Sequence, residues 1–245
     1  METAMDRLKL ILGDEALERL RQSRVMVLGL GGVGSSCAEA LARGGVGSLV
    51  LVDRDVVTPS NINRQALAFH STLGQPKTEV MTRMVKDINP QCEVSSLRTF
   101  IDKDHVGELL GSLPRPDYLV DAIDTISQKL AIAAWCQAQG IPEVSAMGGA
   151  NKLDPTRLRF APVEETLMDP IARVMRKECR KRGIKGLTVL FSDELPQETE
   201  IKRTVINEKG FVKEGSSILG TMSYYPPVMG QMLAGYVICA LTGLL

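Results

Sequence analysis

From Ser23 onward, short apolar runs alternate with longer stretches of helical periodicity, the pattern of a parallel sheet whose strands are joined by crossover helices. RVMVLGL (24–30) is continuously aliphatic, as suits a strand covered on both faces, and SSCAEALARGG reads as a helix stopped by glycines. SLVLVD (48–53) is a second strand, and 77–88 an amphipathic helix ended by Asn89-Pro90. CEVSSLRTF (92–100) is the third strand, YLVDAID (118–124) the fourth and PEVSAMG (142–148) the fifth, with LAIAAWCQAQG (130–140) a helix between the last two. Five strands in β-α alternation predict an α/β fold: a doubly wound, Rossmann-like, mostly parallel sheet with helices on both faces.

The pattern changes after Gly149. Residues 158–161 and 187–191 read as strands, 168–182 as a helix that becomes strongly basic, and 193–216 as a polar loop. From Gly215 onward no residue is charged, and 228–245 reads as one apolar helix. Its 18 residues lie near the lower limit of roughly 17 to 25 for a membrane span. Flanking Lys and Arg are missing, so burial in the core or at a dimer interface is favoured over membrane association. The expected organisation is a Rossmann-like core over 1–150 and an extension over 151–245, continuous with the same domain.

A chain of 245 residues with 44% hydrophobic positions excludes disorder and suffices for one large α/β domain. Five widely separated cysteines encode neither a disulfide framework nor a CxxC zinc clip. Charges interrupt every turn of the first twenty residues, so no secretory signal is read there and a cytoplasmic location is expected. The 29 basic and 29 acidic residues cancel, which argues against a generally polyanion-binding surface, yet segregation changes that picture. Residues 156–185 hold nine Lys+Arg against four Asp+Glu. Five Phe, four Tyr and one Trp are too few for an aromatic platform that stacks single-stranded bases.

Gly29-Leu30-Gly31-Gly32-Val33-Gly34 follows a strand and opens a helix, where backbone N–H groups hold phosphate. Asp53 ends the second strand, where a carboxylate accepts ribose hydroxyls. Further on come Asp53-Arg54-Asp55, Asn61-Ile62-Asn63-Arg64-Gln65, Gly74-Gln75-Pro76-Lys77 and Asp121-Ala122-Ile123-Asp124. A dinucleotide's pyrophosphate needs no such set, whereas a triphosphate calls for cations on its tail and a carboxylate for Mg²⁺. Arg64 offers a forked donor, Lys77 a compact charge, and Asp124 follows a strand's C-terminal end, where open α/β sheets bind ligands.

In these motifs, over about residues 10–150, the chain resembles the adenylate-forming ThiF/MoeB/HesA family, relatives of the ubiquitin-activating enzymes. The resemblance implies that Gly29, Gly31, Gly32 and Gly34 hold ATP with Asp55 and Gln65 beside them, and that Asp53 takes the ribose. It gives Asn61, Arg64 and Lys77 the phosphates and Asp124 the metal, with Arg64, Lys77 and Asp124 the catalytic set. It also implies a homodimer in which an N-terminal arginine reaches the partner's ATP, with Arg7 the candidate. The sulfur-carrier branch of the family adenylates a carrier protein's C-terminal Gly-Gly and bears two CxxC pairs that are missing here. Residues 148–156 (GGANKLDPT), 169–172 (DPIA), RKECRKRGIKG and VLFS instead resemble the tRNA-modifying branch. That implies ATP-dependent cyclisation of N6-threonylcarbamoyladenosine next to the anticodon, through activation of its carboxylate. A sulfur-relay partner and a bound Na⁺ or K⁺ are compatible with this branch and have no readable signature.

The residues agree at one point. Arg173, Arg176, Lys177, Arg180, Lys181 and Arg182 are candidates for tRNA binding, and 173, 176, 177 and 180 share one helical face. Such a face tracks phosphates without reading bases. Cys179 is the one cysteine in a polar stretch; His105 is expected to be structural, and His70 lies between two phosphate motifs.

Overall fold

The computed structural model describes residues 3–198, 202–206, 212–217 and 219–245. A helix absent from the sequence-level expectation comes first: α1, Asp6–Gln22, is kinked at Gly13 (φ +76°). The alternation then unfolds as β1 (Arg24–Leu28), α2 (Gly32–Arg43), β2 (Ser48–Val52), α3 (Lys77–Ile88), β3 (Glu93–Leu97), α4 (Val106–Gly111), β4 (Tyr118–Asp121), α5 (Ile126–Gln139) and β5 (Glu143–Ala146). The strands are shorter than their apolar runs, because each chain leaves the sheet at the residues that form the site.

The remaining elements are β6 (Leu158–Pro162), α6 (Pro170–Arg182), β7 (Thr188–Ser192), β8 (Lys202–Ile206), β9 (Val212–Ser217) and α7 (Tyr225–Thr242). Seven strands form one sheet in the order β3-β2-β1-β4-β5-β7-β6, parallel except for β6, which runs antiparallel to β7. The expected polar loop over 193–216 is corrected: β8 and β9 pair as an antiparallel hairpin within it, while 199–201 and 207–211 lie outside the described residues.

Strand side chains alternate between the two faces. Val25 and Val27 join α1, α2, α3 and α7 in one core, while Met26 and Leu28 face α4 and α5 in another. A third cluster packs α6 on α5 and β7 through Met175, Cys179 and Phe191. The basic helix thus begins two residues later than expected, at Pro170, with Asp169 as its cap accepting a hydrogen bond from Ala172 N (2.8 Å).

The apolar tail starts three residues earlier than expected and lies on α2. A Cβ at Gly230 would stand 2.3 Å from the Val33 carbonyl oxygen and 2.8 Å from Cys37 N, so only glycine permits this approach. Gln231 Nε2 donates to Ser36 O across the same seam (3.4 Å). Among the described residues no helix is long and apolar enough to cross a membrane.

Candidate functional site

A cavity of about 800 Å³ opens at the C-terminal ends of β1, β2, β4 and β5. Its floor is the glycine turn. Gly29 has φ +85°, and a Cβ at Gly34 would lie 1.7 Å from the Gly29 carbonyl oxygen, so α2 can sit directly on the turn. Gly29, Gly31 and Gly32 line the cavity, whereas Gly34 lies behind it. Gly34 is thus a packing position beneath the turn.

The carboxylate after β2 organises the rim. Asp53 Oδ2 accepts Leu30 N (2.6 Å) and Oδ1 accepts Asp55 N (2.7 Å), tying the glycine turn to the next loop. Asp55 meets Lys77 Nζ at 3.1 Å, and the Lys77 side chain, at the start of α3, is only 6% exposed. Arg64 lines the cavity and donates through Nη1 to Ser60 O (3.0 Å) and Asn63 Oδ1 (2.9 Å). Asn61 is buried and accepts Thr58 N (3.1 Å); Gln65 Oε1 is buried without a partner at the cavity wall. Asp124 stands exposed across from them, accepting Thr125 Oγ1 (3.2 Å). The cavity therefore gathers Asp53, Asp55, Asn61, Arg64, Gln65, Lys77 and Asp124 from four separate stretches of sequence.

Sequence reasoning missed other walls. Gln128 and Lys129, in the first turns of α5, line the cavity although nearly buried. Lys129 Nζ donates to Asp121 Oδ2 (3.0 Å) and Ser145 Oγ (3.1 Å), and Ser145 Oγ donates to the same carboxylate (2.7 Å). Asp121 Oδ1 accepts Ile123 N (3.2 Å), so this triad fixes the turn that carries Asp124. Nearby, Glu143 is partly exposed as a residue, but its Oε1 is cut off from solvent and unpartnered. Burial, and then the Asp121 charge, hold its carboxyl well above the usual range, against the pull of Lys129. On the opposite wall Phe100 lies under the Arg54 guanidinium, 4.8 Å from the ring centre.

The cavity extends past Gly148 and Gly149 to Ile171, in the first turn of α6. On that helix Ala172, Met175 and Cys179 point inward, while Arg173, Lys177, Arg180, Lys181 and Arg182 are exposed. Lys181 and Arg182 pair with Glu178, at 3.0 and 3.9 Å. Arg176 is half-buried and donates to the Thr166 carbonyl and hydroxyl, so it braces α6 while still bordering the surface of Arg173, Lys177, Arg180 and Lys181. Cys179, despite its polar stretch, is buried with its thiol pushed up to about 11 by desolvation. Arg7 is exposed on α1 outside the cavity, as are His70, in a short turn, and His105, which precedes α4 and meets Asp102 at 3.2 Å. No cluster of three His, Cys, Asp or Glu residues able to hold a metal occurs among the described residues.

Comparison with known proteins places these features. A tRNA threonylcarbamoyladenosine dehydratase of Bacillus subtilis is 42% identical over 94% of this chain and 91% of its own length. The crystal structure of the E. coli tRNA N6-threonylcarbamoyladenosine dehydratase TcdA in complex with ATP superposes with a TM-score of 0.83 at 27% identity, covering 99% of this chain and 98% of the other. A molybdopterin-synthase adenylyltransferase of Escherichia coli is 36% identical but matches only 56% of this chain and 53% of its own. The sequence model described as the ThiF family matches residues 3–244, and the chain belongs to that family.

Proposed function

We propose that this chain is an ATP-dependent tRNA threonylcarbamoyladenosine dehydratase, active in the cytoplasm as a homodimer. One observation carries the reading: Ile171, at the start of the basic helix, lines the same cavity as Gly31, Arg64, Lys77 and Asp124. RNA held along α6 therefore leads directly to a nucleotide held at the glycine turn.

The donor set fits a nucleoside triphosphate. Backbone N–H groups at Gly31 and Gly32, with the start of α2, take phosphate oxygens. Arg64 and Lys77 balance the charge of the phosphate tail, and Asp53 takes the ribose while holding the turn. Asp124 would hold the Mg²⁺ that accompanies the triphosphate and supplies Lewis-acid stabilisation of its charge. The threonine carboxylate of the modified adenosine is a poor electrophile until one of its oxygens becomes a leaving group. Attack of that oxygen on a phosphorus of ATP forms a mixed acyl-phosphate anhydride and expels pyrophosphate (from the α-phosphorus) or ADP (from the γ-phosphorus). The carbamoyl group then closes on the carbonyl carbon, losing a proton, and AMP or phosphate departs carrying the carboxylate oxygen. The net change is loss of one water. Arg64 and Lys77 stabilise charge on the departing phosphates. Residues 151–245 serve as an extension continuous with the 1–150 core, and Leu10 and Ile11, 80% and 83% exposed on α1, offer an apolar surface for the dimer. The alternative, adenylylation of a sulfur carrier's Gly-Gly tail, has no support from the basic helix or from the cysteine pattern.

The test is incubation with ATP, Mg²⁺ and threonylcarbamoylated tRNA, followed by mass spectrometry of the nucleosides. Loss of one water from the modified adenosine is the expected result. No loss, together with ATP–pyrophosphate exchange stimulated by a Gly-Gly-tailed carrier, would overturn the proposal.

A further inference from the structure

Two stretches that set the last third of the chain apart, 148–156 and 169–172, are joined by a buried ion pair. Lys152 Nζ lies 2.5 Å from Asp169 Oδ2, with side chains 1% and 0% exposed. Lys152 belongs to the loop after β5 whose Gly148 and Gly149 wall the cavity. Asp169 is the cap of α6, and its Oδ2 lies 3.6 Å from where a Gly148 Cβ would be, directly behind that wall. Lys152 also donates to Ser192 O at the end of β7 (3.3 Å), and Glu194 accepts both Leu153 N (2.8 Å) and Asp154 N (2.9 Å) on its other side. Cavity wall, basic helix and sheet meet at one lysine.

Two physical facts say that this junction does more than hold the fold together. A buried ion pair is a poor source of stability compared with apolar side chains of the same volume. The turn that it anchors is strained as well: Met168 has φ +58° and is 59% exposed, and Asp169 N bonds back to Leu167 O (2.6 Å). A non-glycine residue keeps such a conformation only where its surroundings over-determine it, and such places cluster at functional sites.

We infer that Lys152 and Asp169 are positioning residues for tRNA modification: their pair fixes the start of α6 against the nucleotide cavity, so that RNA bound on the basic face presents its modified base to the bound nucleotide. This rests on the function proposed above. The pair itself touches neither ligand, so it sets the rate of the bound complex and leaves affinity for each ligand alone.

The test compares the wild type with K152M/D169N, which leaves no unbalanced buried charge and keeps a helix-capping side chain at 169. ATP affinity, tRNA affinity, the dehydration kcat and thermal unfolding are measured for each. The expected result is a kcat at least tenfold lower, with both affinities within twofold of wild type. Should the double variant not fold, K152R serves in its place, since the longer fork keeps the charge but displaces the junction; a lowered kcat at unchanged affinities is again expected. A wild-type kcat in whichever folded variant is read overturns the inference, and so does a kcat loss accompanied by equal loss of ATP or tRNA binding. An inactive wild type overturns the functional proposal and this one with it, whereas an active wild type with an unaffected variant overturns this one alone.

Discussion

Replacing Arg173, Lys177 and Arg180 together with alanine isolates the electrostatic part of tRNA binding. All three are exposed on α6 and, among the described residues, none is in an ion pair, whereas Lys181 and Arg182 are already committed to Glu178. Each phosphate neutralised adds ~0.7 (single strand) to ~0.9 (duplex) to the slope of log affinity against log salt, so three such contacts carry about 2 to 3 units of slope. Between 50 and 200 mM salt, a fourfold change, the wild type should lose roughly 20- to 40-fold more affinity than the triple variant. Fluorescence anisotropy of labelled tRNA titrated across that range reads the slope directly. Arg176→Ala is the internal control: it severs the brace to Thr166 and should lower the melting temperature while changing the slope by less than half of the ~0.7 that one phosphate contact carries. A triple variant with the wild-type slope would refute the placement of RNA on this face.

Gly230→Ala puts a methyl group 2.3 Å from the Val33 carbonyl, an overpacking worth about 1–3 kcal/mol. In a chain of this size that corresponds to a melting temperature ~2–12 °C lower, and an unchanged melt would contradict the close approach of α7 to α2. Lys129→Met leaves Asp121 buried beside Ser145 without its cation and should cost about 3–5 kcal/mol by chemical denaturation. Under N-ethylmaleimide at neutral pH, half-buried Cys239 should react first, since Cys37, Cys92, Cys136 and Cys179 are buried and desolvation pushes the Cys92 and Cys179 thiols up to about 11. Peptide mapping that finds Cys179 labelled as fast as Cys239 would refute the burial. Glu143 binds its proton more tightly folded than unfolded, so its contribution is full below the ordinary Glu range and is lost as pH rises through the raised folded value. Glu143→Gln should therefore raise the melting temperature more at pH 8 than at pH 4, and the reverse order would disprove the assignment.

The legible parts were those whose physics is local. Val25 to Leu28 and Leu49 to Val52 are buried on both faces, which is why their unbroken aliphatic runs announced strands. The glycine turn and Asp53 were legible because turn chemistry and strand ends follow from short spacings. Lys129 escaped because it sits at the edge of an apolar helical run, where a lone cation looks solvent-facing; only Asp121 and Ser145, brought beside it by β4 and β5, explain its burial. The second tie of Arg176 was hidden for a similar reason, since helical spacing put it with Arg173 and Lys177 but could not reveal Thr166 below the helix. The hairpin of β8 and β9 was read as loop because KRTVI and VKEGSS lack an apolar alternation, and pairing register is not written in composition.

The seat of α7 on α2 has a consequence for how the protein is made. α2 springs from the nucleotide-binding turn, and the helix that covers its apolar side is translated only after every strand of the sheet. Until that helix has been made, that side has nothing to lie against, and the contact that closes it is between segments distant in sequence. The nascent chain therefore carries an exposed greasy surface beside its glycine turn until α7 has been made, a natural client for chaperones that shield unfinished α/β sheets. Nucleotide supplied during translation would have little formed site to bind, and acquisition of ATP binding should trail the emergence of α7 from the exit tunnel.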